Sequence, residues 1–183
     1  MRPAALPVPC LPDTGMDLNV LRDALDQTHV KAVVTIANAN NPVGSVAPDL
    51  AKAALVRLLR ERDIPLIEDD IFGDVSFGEV RPRPARAFDA EGNVLLCGGV
   101  SKSLCPGLRL GWIAAGRFAE RVKAKALKCT TSMVTANCNR SQLRKCSRAA
   151  ATRYTSGDSR QPSSTSNGIC VTRCCAISRL APR

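Results

Sequence analysis

Apolar residues between positions 17 and 37 follow two different periods. In residues 17–27 they recur every three or four positions, which is the spacing of one helix face, and Asp17 is suited to cap that helix. The residues on this face are Leu18, Leu21, Ala24 and Leu25. Residues 31–37 then form a short β-branched run, which predicts a buried strand. The pattern therefore predicts a helix followed by a strand.

The helical period returns after a turn. Residues 38–44 read Asn-Ala-Asn-Asn-Pro-Val-Gly and are dense in turn formers. We predict that the next helix begins at Ser45 or Asp49, has Pro48 in its first turn and ends at Arg62. Its predicted inward face consists of Leu50, Ala54, Leu55, Leu58 and Leu59.

Three further apolar runs predict strands at residues 64–68, 93–97 and 110–114. A final helix is predicted from Arg117 to about Lys128. A strand, a helix and a strand at the spacing found in residues 31–68 form a βαβ unit, whose strands are parallel and whose crossover is right-handed. The pattern therefore predicts an α/β fold with a mostly parallel sheet.

Charge is distributed unevenly along the chain. The 183 residues carry 26 Lys and Arg against 16 Asp and Glu, a net charge of +10. Residues 136–183 hold nine basic residues, one acidic residue and five of the nine Cys, but few large apolar side chains. Such a segment buries too little apolar surface to offset its chain entropy. We therefore predict an ordered domain over residues 1–135 and a disordered tail over residues 136–183.

Two interpretations of the basic tail remain open. Its clustered Arg residues could neutralise nucleic-acid phosphates, but Tyr154 is its one aromatic residue that could stack on bases. Its Cys170, Cys174 and Cys175 do not have the paired spacing of a zinc site. The composition favours the other interpretation, a non-native reading frame or a degenerate end.

Several classes of protein are excluded or disfavoured by composition. A single histidine, His29, excludes multi-His metal sites and argues against a Ser-His-Asp triad. No run of 18 apolar residues exists, so the sequence predicts no membrane-spanning helix. Three prolines within the first nine residues argue against a secretory signal. The four Cys of residues 1–135 have no regular spacing, which favours a reduced, cytoplasmic location.

Polar residues follow three of the predicted strands. Asn41 follows the first strand, Asp69 and Asp70 the second, and Ser101 with Lys102 the third. Because ligands of open α/β sheets bind at the carboxyl ends of the strands, these residues are candidates for one site. Each also has an ordinary structural interpretation: Lys102 as a surface lysine, and Asp69 and Asp70 as caps of a strand end.

The motifs that contain these residues are Asn41-Pro-Val-Gly44, Glu68-Asp-Asp-Ile-Phe-Gly-Asp74 and Ser101-Lys-Ser-Leu-Cys-Pro-Gly-Leu-Arg-Leu-Gly-Trp112. Each is weak alone, but their order and spacing are specific: Asn41 and Asp69 are 28 residues apart, Asp69 and Lys102 are 33 apart, and Arg109 follows Lys102 by seven. Over residues 8–135 the set resembles the fold-type I pyridoxal-phosphate enzymes, class I/II aminotransferases. It is most similar to the branch with aminoadipate-type aminotransferases and the aminotransferase-like bodies of MocR-type regulators.

The resemblance implies a partial large domain with a three-layer αβα sandwich, and pyridoxal 5′-phosphate as cofactor. It implies that Lys102 forms a Schiff base with the cofactor and carries the proton afterwards. Asp69 would pair with the pyridinium nitrogen, and Asn41 would donate to the phenolic oxygen. Arg109 would hold the phosphate together with Ser101. Without the resemblance, Arg109 is equally an ordinary charge at a strand edge.

This sequence departs from the family pattern at two cofactor-binding positions. Phe72 stands where the family usually has a Tyr whose hydroxyl meets the phenolic oxygen, so that donor is missing. Gly99, three residues before Lys102, stands where a Ser usually binds the phosphate. Counterparts of the family's upstream phosphate-binding turn and stacking aromatic, and of its substrate-binding arginine, are not found in this sequence. The resemblance therefore predicts weak or no activity for this chain.

Three functions remain open. The first is amino-group transfer between an amino acid and a 2-oxo acid, by a protein whose relatives are homodimers. The second is the effector body of a MocR/GntR-type transcriptional regulator, in which nucleic acid is bound only by a head outside this sequence. The third is a non-functional remnant. No membrane partner is expected.

The tail prediction can be tested by limited proteolysis. A segment with too little apolar surface to fold is cut first, so protease should remove residues 136–183 rapidly and leave a fragment that ends near Thr135. Mass spectrometry of the digest identifies the end of that fragment. A tail that resists protease for as long as residues 1–135 do would contradict the argument from composition.

Overall fold

The computed structural model of the protein describes residues 4–75, 80–106 and 110–123. Two complete α-helices and six strands lie in these ranges. They are, in chain order, β1 (Cys10–Leu11), β2 (Gly15–Met16), α1 (Leu18–Gln27), β3 (Val33–Thr35), α2 (Asp49–Glu61), β4 (Leu66–Asp69), β5 (Val94–Gly99) and β6 (Gly111–Ala114).

Four of the strands form one sheet in the order β3-β4-β5-β6. The first three are parallel, with Val33 opposite Leu66 and Leu66 opposite Val94. The last strand runs antiparallel to β5, with Leu96 opposite Ala114. The predicted βαβ unit and the mostly parallel sheet of an α/β fold are confirmed, and all four predicted strands are present with shifted ends.

The cap of α1 is the one that the sequence predicts. The Asp17 carboxylate accepts hydrogen bonds from the backbone N–H of Asn19 at 2.9 Å and of Val20 at 3.2 Å. These bonds satisfy two of the donors that a helix leaves unpaired at its first turn. On the predicted apolar face, Leu21 is buried and packs into the core.

Helix α2 begins at Asp49, so the earlier start at Ser45 is wrong, and Pro48 is its N-cap residue. Leu50 is wrong as an inward residue, because it is 85% exposed while Leu59 is fully buried. At 100° per residue, the nine positions between them turn the helix through about 900°, which places the two side chains on opposite faces.

The core lies between the two helices and one face of the sheet. It is formed by Leu21 of α1, by Leu55, Val56, Leu58 and Leu59 of α2, by Ala85, and by Val33, Leu66 and Val94 of the strands. On the opposite face, Val34 and Ile113 are more than half exposed. Within the described residues, no helix covers that face, so the two helices seen form one of the two predicted helical layers.

The short hairpin of β1 and β2 was not predicted, because each strand has only two residues and no period can be detected in them. Residues 119–123 are helical and agree with the predicted final helix, whose later residues lie outside the described ranges. The predicted tail and the domain boundary after Thr135 also lie outside those ranges and stay predictions.

None of the described helices is long and apolar enough to cross a bilayer. In the same part of the chain, no group of three or more His, Cys, Asp or Glu is arranged to hold a metal ion.

Two leucines of α2 provide a matched test of the core. Leu59→Ala should lower the free energy of unfolding by about 2–5 kcal/mol, because it leaves a cavity in the core. Leu50→Ala should change it by less than about 0.5 kcal/mol, since the side chain is 85% exposed. Urea denaturation followed by circular dichroism measures both. Equal losses would show that α2 does not pack with the face described here.

Candidate functional site

Three turns meet at one edge of the sheet, because β3, β4 and β5 are parallel and end there. The turn after β3 carries Asn41, the end of β4 carries Asp69, and the turn after β5 carries Ser101 and Lys102. The structure therefore brings the candidate residues of three separate motifs to the same edge. Arg109, the remaining candidate, lies outside the described residues.

Asp69 is the last residue of β4 and is half-buried. One of its carboxylate oxygens, Oδ1, accepts a hydrogen bond of 3.2 Å from the backbone N–H of Ile71. Its strand neighbours Glu68 and Asp70 are both buried. Because successive strand residues point to opposite faces, Asp69 is directed away from the helices that cover Glu68 and Asp70. Its carboxylate is thus accessible at the edge where the strands end.

Lys102 and Phe72 come together at this edge. The Lys102 Nζ atom lies 5.5 Å from the centroid of the Phe72 ring, within the range of a cation–π contact. Lys102 is exposed, whereas Phe72 and Ser101 are half-buried. Since Phe72 follows Asp69 by three residues, its contact with Lys102 links the turn after β5 to the turn after β4.

Asn41 is exposed in a turn whose ends are closed by hydrogen bonds. The Asn40 backbone N–H donates to Ser45 O at 2.9 Å, and the Asn40 side chain donates to Ile36 O at 3.2 Å. Gly44 has a φ of +75°, which a residue with a side chain rarely adopts. The turn therefore has a defined shape, and the Asn41 amide is open to solvent.

A free hydroxyl lies beside the lysine. Ser103 Oγ is buried and is the one buried side-chain nitrogen or oxygen, in the part of the chain that the structure describes, without a hydrogen-bond partner. Buried polar atoms are normally paired, so the Ser103 hydroxyl, on the residue after Lys102, retains a hydrogen-bond donor. An amine, a carboxylate acceptor, an amide and this hydroxyl are a set of polar groups that fits a phosphorylated aromatic aldehyde such as pyridoxal phosphate.

Two adjacent glycines end β5 and contact different neighbours on its two faces. A Cβ atom on Gly98 would lie 2.5 Å from the Trp112 ring, whereas a Cβ on Gly99 would meet Leu110 O at 3.2 Å and Ile71 at 3.6 Å. Trp112 therefore packs directly on Gly98. Gly99 lies on the other face of β5, the face to which Cys97 and Asp69 belong.

Burial raises the pKa of two acidic side chains in this region, Glu68 and Cys97. It raises the pKa of Glu68 above its ordinary value of 4.5, although the N–H groups of Ala85 and Arg86 donate to the carboxylate and oppose the shift. Burial also raises the pKa of the Cys97 thiol, and the nearby Asp69 and Glu68 carboxylates add to the effect. Both residues therefore favour their neutral forms relative to exposed groups.

Sequence reasoning missed two buried polar residues next to the site, namely Asn38 and Lys52, whereas it named Asp70 together with Asp69. Burial lowers the pKa of Lys52, with partial compensation from nearby carboxylates. Its position could have been found, because the seven residues from Lys52 to Leu59 turn a helix through about 700°, within about 20° of two full turns. Charge alone made it look like a surface residue.

Comparison with known proteins places these motifs in a larger context. The family model for aminotransferase class I and II matches residues 3–165. Among curated proteins, the HTH-type transcriptional regulator YjiR of Escherichia coli is 40% identical over 115 residues, which is 63% of this chain and 24% of that protein. The aromatic-amino-acid aminotransferase 1 of Thermococcus litoralis is 34% identical over 110 residues, which is 57% of this chain and 26% of that protein.

Among solved structures, the α-aminoadipate aminotransferase LysN of Thermus thermophilus superimposes with a TM-score of 0.60 at 25% identity. That superposition covers 85% of this chain and 45% of LysN, which was crystallised with N-(5′-phosphopyridoxyl)-L-leucine. The chain spans about a quarter of the length of the curated relatives it matches.

The paired glycines of β5 allow a test of the packing between β5 and β6. Gly98→Ala should lower the free energy of unfolding by about 1–3 kcal/mol, because its Cβ would overlap the Trp112 ring. Gly99→Ala should lower it less, since its nearest contact is 3.2 Å away. Urea denaturation of both variants measures the difference. If Gly99→Ala were the more destabilising of the two, Trp112 would not pack on β5 as described.

Proposed function

The chain belongs to the class I and II aminotransferase family, and from this premise we propose that it binds pyridoxal 5′-phosphate at the edge where β3, β4 and β5 end. The observation that carries the proposal is the convergence there of an exposed lysine amine, a strand-end carboxylate and an exposed amide. These groups come from Lys102, Asp69 and Asn41. All three belong to motifs that the sequence shares in order and spacing with the family.

Each residue has a distinct task in this proposal. The Lys102 amine would hold the cofactor covalently through its aldehyde carbon. The Asp69 carboxylate would accept a hydrogen bond from the protonated ring nitrogen, and the Asn41 amide would donate to the phenolic oxygen. When bound, the cofactor supplies a ring that accepts electrons from the substrate. Phe72, which cannot donate a hydrogen bond, packs beside the Lys102 amine.

The phosphate is proposed to bind near the turn after β5. Ser101 and Arg109 are the ligands that the family pattern suggests, and the unpaired Ser103 hydroxyl is a further donor in the same turn. Gly99 offers no side chain to the phosphate, so a missing Ser at that position weakens phosphate binding. We therefore propose a site that holds the cofactor less firmly than a site with the full phosphate cup.

The reaction we propose is transfer of an amino group from an amino acid to a 2-oxo acid, with Lys102 as the group that moves the proton. The full activity, its substrates and a homodimeric state are proposed for the whole protein. We also propose a cytoplasmic location, which is supported by the free thiols of Cys10, Cys97 and Cys105 within the described residues.

A second candidate function is the ligand-sensing body of a transcriptional regulator. It is favoured by the higher identity to the regulator YjiR, 40%, than to the Thermococcus litoralis aminotransferase, 34%. In that case the same cofactor site recognises a ligand, and nucleic acid is bound by a head outside this sequence. The coding sequence upstream of residue 1 discriminates between the two, since a winged-helix domain there identifies a regulator.

Covalent labelling tests the cofactor proposal. The full chain is incubated with pyridoxal 5′-phosphate, reduced with borohydride and digested, and the modified lysine is identified by mass spectrometry. We expect the label predominantly on Lys102, because the neighbouring turns hold the ring beside its amine. Lys102→Ala should lose most of the label and the visible absorbance of the bound cofactor.

The matched control is Lys31→Ala, which removes another exposed lysine away from the site. It should leave both the label on Lys102 and the absorbance unchanged. Labelling spread evenly over exposed lysines, at the level found with a denatured sample, would refute a built cofactor site.

A further inference from the structure

A network of buried polar side chains lies on the face of β4 opposite to Asp69. The Lys52 Nζ atom donates to Asn38 Oδ1 at 2.7 Å and to Arg83 O at 2.7 Å. The Asn38 Nδ2 atom in turn donates to Asp70 Oδ1 at 2.9 Å. The hydrogen bonds of this network therefore connect helix α2, the turn after β3 and the residue that follows β4.

The three side chains of this network are shielded from water. Asn38 is fully buried, and the side chains of Lys52 and Asp70 are 1% and 2% exposed. The second oxygen of Asp70 accepts from the Arg81 guanidinium at 2.5 Å. Breaking any one of these contacts would leave a buried polar or charged group unpaired, which is costly in free energy, so the paired arrangement is strongly favoured.

The network connects the two turns that carry Asn41 and Asp69, the candidates for binding the cofactor ring. Asn38 precedes Asn41 by three residues in the turn after β3, and Asp70 directly follows Asp69. The Asp70 backbone N–H also donates to Cys97 O at 2.9 Å, which continues the pairing of β4 with β5. Fixing Asp70 on the helical face leaves Asp69 directed to the opposite face, since neighbouring strand residues alternate.

We propose that the Asn38–Asp70 hydrogen bond, supported by Lys52, is a positioning device that fixes the turn of Asn41 against the turn of Asp69. Asn38 and Asp70 are thus positioning residues, because they act through their neighbours and face away from the site. The assignment of pyridoxal phosphate as the ligand rests on the proposed function. The coupling of the two turns does not, and it can be measured without cofactor.

A purely stabilising network is the alternative. In that case, breaking the Asn38–Asp70 contact lowers global stability and loosens all parts of the fold together. A positioning device predicts a local effect: both turns open more often, while α1, whose side chains make no hydrogen bond or ion pair to Asn38, Lys52 or Asp70, keeps its protection. Amide hydrogen exchange distinguishes these outcomes, because it reports the opening of each segment separately.

The decisive variants exchange an amide and a carboxylate. Asn38→Asp keeps the acceptor for Lys52 but sets a second carboxylate against Asp70, so the contact becomes repulsive. The double variant Asn38→Asp/Asp70→Asn places the amide on the other side and restores one donor, one acceptor and the original charge. The amide introduced at position 70 can donate to the carboxylate introduced at position 38 and still accept from Arg81. Asn19→Asp, on the exposed surface of α1, is the control for the added charge.

Hydrogen exchange is measured by mass spectrometry on the full chain without cofactor. In Asn38→Asp, residues 38–45 and 69–75 should exchange about tenfold faster or more, because a buried group has lost its partner. Residues 18–27 should exchange at the wild-type rate. The double variant should return both turns to wild-type exchange, and Asn19→Asp should leave them unchanged.

A uniform increase over all segments, unchanged exchange in either turn, or failure of the double variant to restore protection would overturn the proposal. If Asn38→Asp does not fold, Lys52→Met gives the second measurement, because it removes the bonds from Lys52 to Asn38 and to Arg83 O but leaves the Asn38–Asp70 pair in place. It must accelerate exchange in residues 38–45 and 69–75 but not in residues 18–27.

With cofactor present, the pH midpoint of the visible absorbance of the Lys102 adduct should shift in Asn38→Asp and return in the double variant. An unchanged midpoint in Asn38→Asp would overturn the link from these residues to the ligand. Absence of any Lys102 adduct in the wild-type chain counts against the proposed function alone. The exchange experiment still decides whether the turns are coupled.

Discussion

The register of β4 between β3 and β5 is the constraint on which the site depends. In the observed register, Leu66 and Glu68 face the helices, and Asp69 faces the other way, opposite Cys97. A slip by one residue would bury Asp69 and turn its two neighbours outward, because strand side chains alternate with a period of two. The apolar core therefore determines which of three consecutive acidic residues is available for chemistry. Buried partners for Glu68 and Asp70 strengthen that choice.

Much of the fold could be predicted because the strong patterns are local. The β-branched run around Val33 predicts a strand, and Asp17 with Leu21 predicts a capped, one-sided helix. The errors have a common cause, since residue type was given more weight than helical angle. Leu50 was assigned to the core although it lies opposite Leu59, and Lys52 was not considered for the core although it lies on the same side.

The site could be predicted only in part, for a different physical reason. That Asn41, Asp69 and Lys102 lie at one edge could be predicted because parallel strands place their carboxyl ends together, which requires only the order of the strands. The contact of Lys102 with Phe72 depends on tertiary packing, and so does the buried hydrogen-bond network that joins Lys52 to Asp70. No pattern within one motif contains such information. The chain is similar both to an HTH-type transcriptional regulator and to an aminotransferase.

The packing of Trp112 on Gly98 gives the protein a built-in optical probe. Trp112 is the one tryptophan of the 183 residues, so ultraviolet emission from the indole comes from a single position. That position is in β6, against the strand whose end leads to Lys102. Separation of β5 from β6 would expose the indole to water and move its emission to longer wavelengths. The integrity of the strand that presents the lysine can therefore be followed in solution without an attached dye.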